Sequence, residues 1–550
     1  MRRLLLLVAM FTAGCAATTP MPVEREVVVR GGTVLAGSEL RRIDDGAVII
    51  RGGRFAWVGP ASELPTRPGG AMVIDATGMT VLPGLVDSHA HIAGLGAALD
   101  TVDLVGSSSY GDVIERIRKG AQDAPAGEWI LGRGWDQNDW PVKEFPKADE
   151  LDRALGDRPV WVRRIDGHAG LASSAAMRAA RITAATSDPP GGKIVRDASG
   201  QPTGVFVDAA MDLIDTIVPP PSRTVRRNRL REAAIEIASK GLTAVHDAGV
   251  DQDTIQLMRE LIDAGELPIR VYAMLGDDDE LLDYWLERGP LVDYGDRLTV
   301  RSIKLYADGA LGSRGAAMLQ PYADDPSNSG LMVSTREHLE RRARAALAAG
   351  FQVGTHAIGD AGVRSVLDAY EAAGVTPAAR FRIEHLQVVA PEDFARVARM
   401  GVIAAMQPTH ATSDMPWAED RIGPERAKGA YAWRRVLDAG GRLALGSDFP
   451  VEQVDPLLGL YAAVTRQDLE GRPEGGWFPL QKLTIAEAIR GFSIDTAYAA
   501  FEEDRRGSID VGKFADLTIV RPDPTTSPAS TIPRTEVLYT VVNGDIVYRK

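Results

Sequence analysis

Two histidines one residue apart, in Asp87-Ser88-His89-Ala90-His91, follow a short β-branched run that begins at Thr80. In a strand, residues i and i+2 point to one face, so both imidazoles can reach the same metal ion. Imidazole is the commonest protein ligand for zinc and related ions. Four more residues, Lys304, His356, His385 and Asp448, each fall near the C-terminal end of an expected strand. Alternation sorts three of their strands. Ser302, Lys304, Tyr306 and Asp308 share a face; so do Gln352, Gly354 and His356, and so do Ala444, Gly446 and Asp448. The glycines two residues before His356 and Asp448 would leave space beneath a metal, and glycine inside a strand needs such a reason.

These residues require a scaffold that brings many strand ends together. Eight strands are expected at 85–91, 242–246, 269–275, 300–307, 351–356, 381–385, 402–407 and 443–448. Amphipathic helices separate several of them. Those at 227–240 and 338–349 are each closed by a glycine, Gly241 and Gly350, where a helix C-terminus favours one. Strands alternating with helices argue for a parallel sheet. Eight such units predict an α/β fold, a (β/α)8 TIM barrel whose active site lies at the C-terminal strand ends.

The rest of the chain divides around that barrel. Residues 26–82 and 505–550 read as short β runs with glycine-rich turns, including an Asn543-Gly544 hairpin signal. Together they predict a small β-sandwich built from both termini. Barrel strand one lies in 83–92 and the remaining barrel in 227–504. The stretch between them, 93–226, is far too long for a βα connection and carries its own strand and helix signals. It reads as an inserted α/β subdomain over the barrel mouth. Trp135, Trp140, Trp417 and Trp433 fall in loop-like stretches, as an apolar lid or as loop anchors.

The chain has 550 residues and a formal net charge of −13. It shows no basic stripe, which argues against nucleic acid as a partner. Cys15 is the sole cysteine, so an internal disulfide framework is excluded. Arg2, Arg3 and the apolar run 4–11 read as an export signal over 1–14. Thr12-Ala13-Gly14-Cys15 resembles a bacterial lipoprotein cleavage box, with Cys15 lipidated and 15–25 a flexible tether. Residue 16 is Ala rather than the Asp that would suggest inner-membrane retention. The expectation is an envelope lipoprotein at the outer membrane, facing the periplasm and touching the membrane only through its anchor. The alternative is a plain signal peptide with an incidental cysteine.

An ordered set of motifs carries a family resemblance. It runs from Pro83-Gly-Leu-Val-Asp-Ser-His-Ala-His through Gly241-Leu-Thr-Ala-Val-His-Asp-Ala-Gly and Ile303-Lys-Leu-Tyr-Ala-Asp-Gly-Ala-Leu-Gly-Ser-Arg-Gly-Ala. It continues with Thr355-His-Ala-Ile-Gly-Asp, Arg382-Ile-Glu-His, Met406-Gln-Pro-Thr-His, Leu445-Gly-Ser-Asp-Phe-Pro and Gly507-Ser-Ile-Asp-Val-Gly-Lys-Phe-Ala-Asp-Leu. The set resembles the YtcJ-like branch of the metal-dependent amidohydrolases, which includes N-substituted formamide deformylases. The likeness spans nearly the whole chain after the signal.

The resemblance implies two divalent ions, zinc foremost, with Mn, Ni and Fe compatible with the same N/O ligands. His89 and His91 would hold the more buried ion, His356 and His385 the second, and a carboxylated Lys304 would bridge them. A cationic lysine would repel the metals, whereas a carbamate offers two anionic oxygens. The alternative is an ordinary lysine paired with an acid, beside a single ion on His89 and His91. Asp448 would ligate the buried ion and shuttle the proton from a metal-bridged hydroxide to the departing nitrogen. His168, Arg314 and His410 are candidate substrate contacts, each with a structural alternative. His246 would face the site or support it.

The implied activity is hydrolysis of a C–N bond other than a peptide bond, in a small-molecule amide, N-acyl or cyclic amide. The same metal core could act on a lactone or phosphoester, or deaminate, and a non-catalytic envelope binding lipoprotein is the alternative of another class. Oligomeric state stays open, a homo-oligomer included.

Overall fold

The computed structural model describes residues 26–65, 70–122, 127–137, 140–164, 169–189, 192–312 and 314–550. The leader at 1–14, the tether at 15–25 with Cys15, and His168 lie outside the described residues.

Eight parallel strands make the barrel: Leu85–Ala90, Leu242–Val250, Arg270–Leu275, Leu298–Tyr306, Gln352–Ala357, Arg382–His385, Ile403–Met406 and Arg442–Leu445. Each pairs with the next in sequence. The chain just past the eighth strand meets the end of the first, where Asp448 N donates to His89 O at 2.8 Å and His91 N to Phe449 O at 3.0 Å. The strands are buried almost throughout, as a parallel sheet covered by helices requires. The covering helices start and stop on local chemistry. Arg336–Ala349 begins where the Thr335 side chain accepts from His338 N and ends at Gly350, in the left-handed region at φ 79°.

Strands Glu26–Ala36, Arg41–Arg51, Arg54–Pro60, Met72–Asp75 and Thr80–Pro83 join Leu517–Arg521, Glu536–Val542 and Asp545–Arg549 in one continuous eight-stranded sheet. Thr80–Pro83 pairs antiparallel with Leu517–Arg521, which stitches the two ends of the chain together. Val29, Val48, Ile50, Phe55, Ile519 and Val541 pack on one another, so this sheet encloses its own core. Asn543 and Gly544 turn the last hairpin at φ 56° and 78°. Arg270 of the third barrel strand ties the sheet to the barrel, with Nε 2.8 Å and Nη2 3.0 Å from the Asp516 carboxylate.

The segment after the first barrel strand forms a separate six-stranded sheet, from Val102–Asp103 to Pro202–Asp208. Trp135 and Trp140 are buried in its core, and their indoles donate to Val162 O and Ser107 O at 3.0 Å. Trp433 is fully buried under the Arg466 guanidinium. These three rings are core residues, and Trp417 packs partly buried against the barrel's core. No helix among the described residues is long and apolar enough to cross a membrane.

Candidate metal centre

His89, His91, Lys304, His356, His385 and Asp448 converge at the C-terminal end of the barrel. Ligand atoms of His89, His385 and Asp448 lie within 4.8 Å of one another. The His89 ring centroid is 5.5 Å from that of His91 and 4.9 Å from that of His385, and the His356 ring is 4.6 Å from His385. Lys304 Nζ is 3.1 Å from His89 Nε2.

The route by which Asp448 arrives differs from the one alternation suggests. The eighth strand ends at Leu445, so pleat parity does not set the direction of Asp448. A turn does. Asp87 accepts from Ser447 N at 3.1 Å and Ser447 Oγ at 2.6 Å, and also from His89 N at 3.0 Å. Asp448 takes φ 62°, an uncommon conformation for a residue with a side chain and one often found at functional positions. His385, the last residue of its strand, sits at φ 73°. Gly354 and Gly446 also serve something other than open space. A Cβ on Gly446 would stand 2.4 Å from Asp87 Oδ1, and one on Gly354 2.5 Å from Glu384 Oε1. Both glycines make room for carboxylates that hold His89 and Asp448 in place.

The hydrogen bonds decide which nitrogen each histidine presents. His89 Nδ1 is 2.5 Å from the Glu384 carboxylate, and His91 Nδ1 is 3.0 Å from Ala248 O. His385 Nδ1 meets Gln407 Oε1 at 2.9 Å, and Gln407 Nε2 in turn donates to Ala405 O, which fixes the amide orientation. His356 Nε2 meets Gly309 O at 3.3 Å. Each partner is an acceptor, so each of these nitrogens carries the proton. Lone pairs are left on Nε2 of His91 and His385 and on Nδ1 of His356, and that on Nε2 of His89 faces the Lys304 amine at 3.1 Å. Burial pushes His89 and His385 well below the ordinary imidazole range, and His356 down to about 4, so the rings are neutral.

This donor set fits a divalent cation. Asp448 Oδ1 stands 3.1 Å from His91 Nε2 and 3.6 Å from His89 Nε2, and it is buried with no hydrogen-bond partner among the described residues. Acceptors facing acceptors in a buried site repel unless a cation lies among them. Lys304 is 1% exposed, and burial above all lowers its amine to about 8.

The other expected residues occupy different settings. His410, on the helix Pro408–Asp414, stacks on His385 with centroids 6.0 Å apart, and its buried Nε2 is 3.9 Å from Asp448 Oδ2. That nitrogen has no hydrogen-bond partner among the described residues. Arg314 is gripped by Asp324 through Nε at 3.0 Å and Nη2 at 2.8 Å. His246 lies wholly inside the barrel, its Nδ1 2.8 Å from Arg382 Nη1. His338 pairs with Asp277 at 2.6 Å on the barrel's outer layer. Sequence reasoning missed Asp87, Arg382, Glu384 and Gln407. A signal was present: Arg382 and Glu384 alternate along a strand otherwise fit for burial, and charges there demand partners. Beside His91 a cavity of about 500 Å3 opens, lined by Asp247, Gly249, Val250, Arg226 and Pro450.

A model of the amidohydrolase family matches residues 72–548. YtcJ of Bacillus subtilis is 36% identical over 515 residues, covering 92% of this chain and 96% of its own. N-substituted formamide deformylase of Arthrobacter pascens is 29% identical over 526 residues, covering 92% and 95%. The crystal structure of an uncharacterized metal-dependent hydrolase from Pyrococcus furiosus superposes with a TM-score of 0.75 at 29% identity, over 91% of this chain and 100% of that one.

Proposed function

This chain belongs to the amidohydrolase family, and from that footing we propose that it hydrolyses a C–N bond in a small amide, N-acyl amine or cyclic amide. The observation that carries the reading is the convergence of His89, His385 and Asp448, whose ligand atoms lie within 4.8 Å of one another, with the His91 and His356 rings beside them. In this proposal His89, His91 and Asp448 would hold one divalent ion and His356 and His385 a second, with zinc the ion in each case. Lys304, once its neutral amine has added CO2 to give a carbamate and a released proton, would offer the anionic oxygens that such a pair of ions needs. Ions bound there supply a water of lowered pKa and Lewis acidity toward the substrate carbonyl.

The chain's own groups do the rest. Asp448 takes the proton from the attacking water on a carboxylate oxygen and delivers it to the leaving nitrogen, since an amine departs poorly without it. His410 Nε2 lies on the Oδ2 side of Asp448 and is placed to hydrogen-bond the substrate's polar group. The cavity beside His91 seats the substituent, its walls of Ala93, Gly94, Ala248 and Gly249 leaving room. We further propose, from the leader sequence alone, that Cys15 is lipidated and holds the enzyme at the outer membrane facing the periplasm.

The test is metal content by elemental analysis of the chain without its leader, beside Lys304→Ala, with turnover of an amide panel. Two ions per chain, one or fewer in the variant, and hydrolysis of a panel member are expected. One ion in both proteins would overturn the carbamate bridge. A fully metallated chain that cleaves esters or phosphoesters but no amide would overturn the C–N assignment.

A further inference from the structure

Below the metal ligands, the barrel interior holds a row of fully buried polar side chains that the proposed reaction does not use. His246 comes from the second strand, Arg382 and Glu384 from the sixth, and all three are 0% exposed. They connect in a fixed order. Arg382 Nη1 donates to His246 Nδ1 at 2.8 Å. Arg382 Nη2 donates to Glu384 Oε2 at 2.9 Å and to Ser88 O at 2.6 Å, and Arg382 Nε stands 2.8 Å from Glu384 Oε1. Glu384 Oε2 then receives the His89 Nδ1 proton at 2.5 Å.

Chemistry leaves little freedom in the direction of these bonds. A guanidinium only donates, so His246 Nδ1 must be the acceptor and its Nε2 carries the ring proton. The Glu384 carboxylate only accepts, so His89 must donate from Nδ1 and turn its Nε2 lone pair upward. Ser88 O belongs to the residue just before His89, so one guanidinium holds both the backbone beside that ligand and the carboxylate behind its ring. Gly354 leaves the room Glu384 needs.

We propose that His246 and Arg382 are positioning residues for the metal centre: by holding Arg382 in place, His246 fixes Glu384 and Ser88, and through them the tautomer and aim of His89. Without the acceptor at His246 Nδ1, the guanidinium loses its one partner on the second strand and can turn away from Glu384. A histidine ligand whose supporting group is disturbed binds metal about 10–100-fold more weakly. This inference rests on the proposed metal site but not on the identity of the substrate.

The experiment measures zinc affinity by chelator competition on the full purified chain, with circular dichroism to show folding. His246→Phe keeps the ring volume and removes the acceptor; His246→Asn restores an acceptor near the place of Nδ1. The expected result is a loss of about 10-fold or more in zinc affinity for the Phe variant, with the Asn variant close to the parent. A folded Phe variant that binds zinc as tightly as the parent overturns the proposal. So does an Asn variant that loses as much affinity as the Phe variant, because packing alone would then explain both. Should His246→Phe not fold, the Asn variant decides: parental affinity supports the proposal, and a 10-fold loss overturns it. A parent chain that binds no zinc at all fails differently, since it removes the metal reading itself.

Discussion

Lys304 shows how burial changes the reactivity of one residue. Its amine lies beside His89 Nε2 and 4.9 Å from the centre of the Tyr306 ring, and burial lowers it from 10.5 to about 8. A free lysine at pH 7 is neutral in roughly three molecules in ten thousand, but at a pKa of 8 in roughly one in ten. Only the neutral amine adds CO2, so the carbamate proposed at Lys304 should form more readily as pH climbs through 8 and level off above it. Bicarbonate-dependent metal uptake, followed from pH 6.5 to 9.5, should trace that rise; uptake indifferent to both pH and bicarbonate would mean that the lysine stays unmodified. Asp448 permits a second prediction. Asp448→Asn keeps the shape and one oxygen donor but cannot accept a proton. It should retain most of its metal while kcat falls by about 100-fold or more, as loss of a general base does. Unchanged kcat in steady-state assays would remove Asp448 from proton transfer.

At the scale of the element, the site depends on what happens just past the strand ends. The eighth strand stops at Leu445, and three residues later Asp448 is aimed by a turn that Asp87 holds through Ser447. Gly446 makes that approach possible, since a side chain there would collide with Asp87 Oδ1 and with His89 N, 2.7 Å away. Gly446→Ala should therefore destabilise the chain by about 1–3 kcal/mol, the usual penalty for overpacking. It should weaken metal binding as well, because the collision displaces both Asp448 and His89. Urea unfolding of the metal-free variant measures the first effect and chelator competition the second. A variant as stable as the parent would show that the turn yields without cost.

The whole molecule is closed by contacts between its ends. The terminal sheet joins residues from both ends of the chain, and the buried Arg270–Asp516 pair locks it to the third barrel strand. Asp516 also accepts from Asn543 N at 2.9 Å, so one carboxylate serves the barrel and the last hairpin together. Asp516→Ala leaves a buried guanidinium without its counter-charge, which costs about 3–5 kcal/mol. Thermal unfolding should then shift down as one transition, with metal content preserved at temperatures below it. An unshifted midpoint would show that the pair contributes little, and two separate transitions that sheet and barrel fold independently.

The sequence by itself determined the repeated architecture and the neighbourhood of the chemistry. Eight β-branched or apolar runs alternating with helical periodicity specify a parallel barrel, because strands buried on both faces cannot carry the polar half of an amphipathic pattern. His89 and His356 were legible because strand alternation is local and survives folding. The tertiary structure alone decided the rest, because it depends on which atoms meet across the barrel. Asp448 is directed by Asp87, more than three hundred residues earlier in the chain, and not by its own strand. Glu384, Gln407 and the Ala248 and Gly309 carbonyls choose the nitrogen that each imidazole offers, and no spacing in the sequence encodes that choice. Arg382 and His246 take their meaning from the low-dielectric interior, where a buried charge requires partners that only the closed barrel supplies.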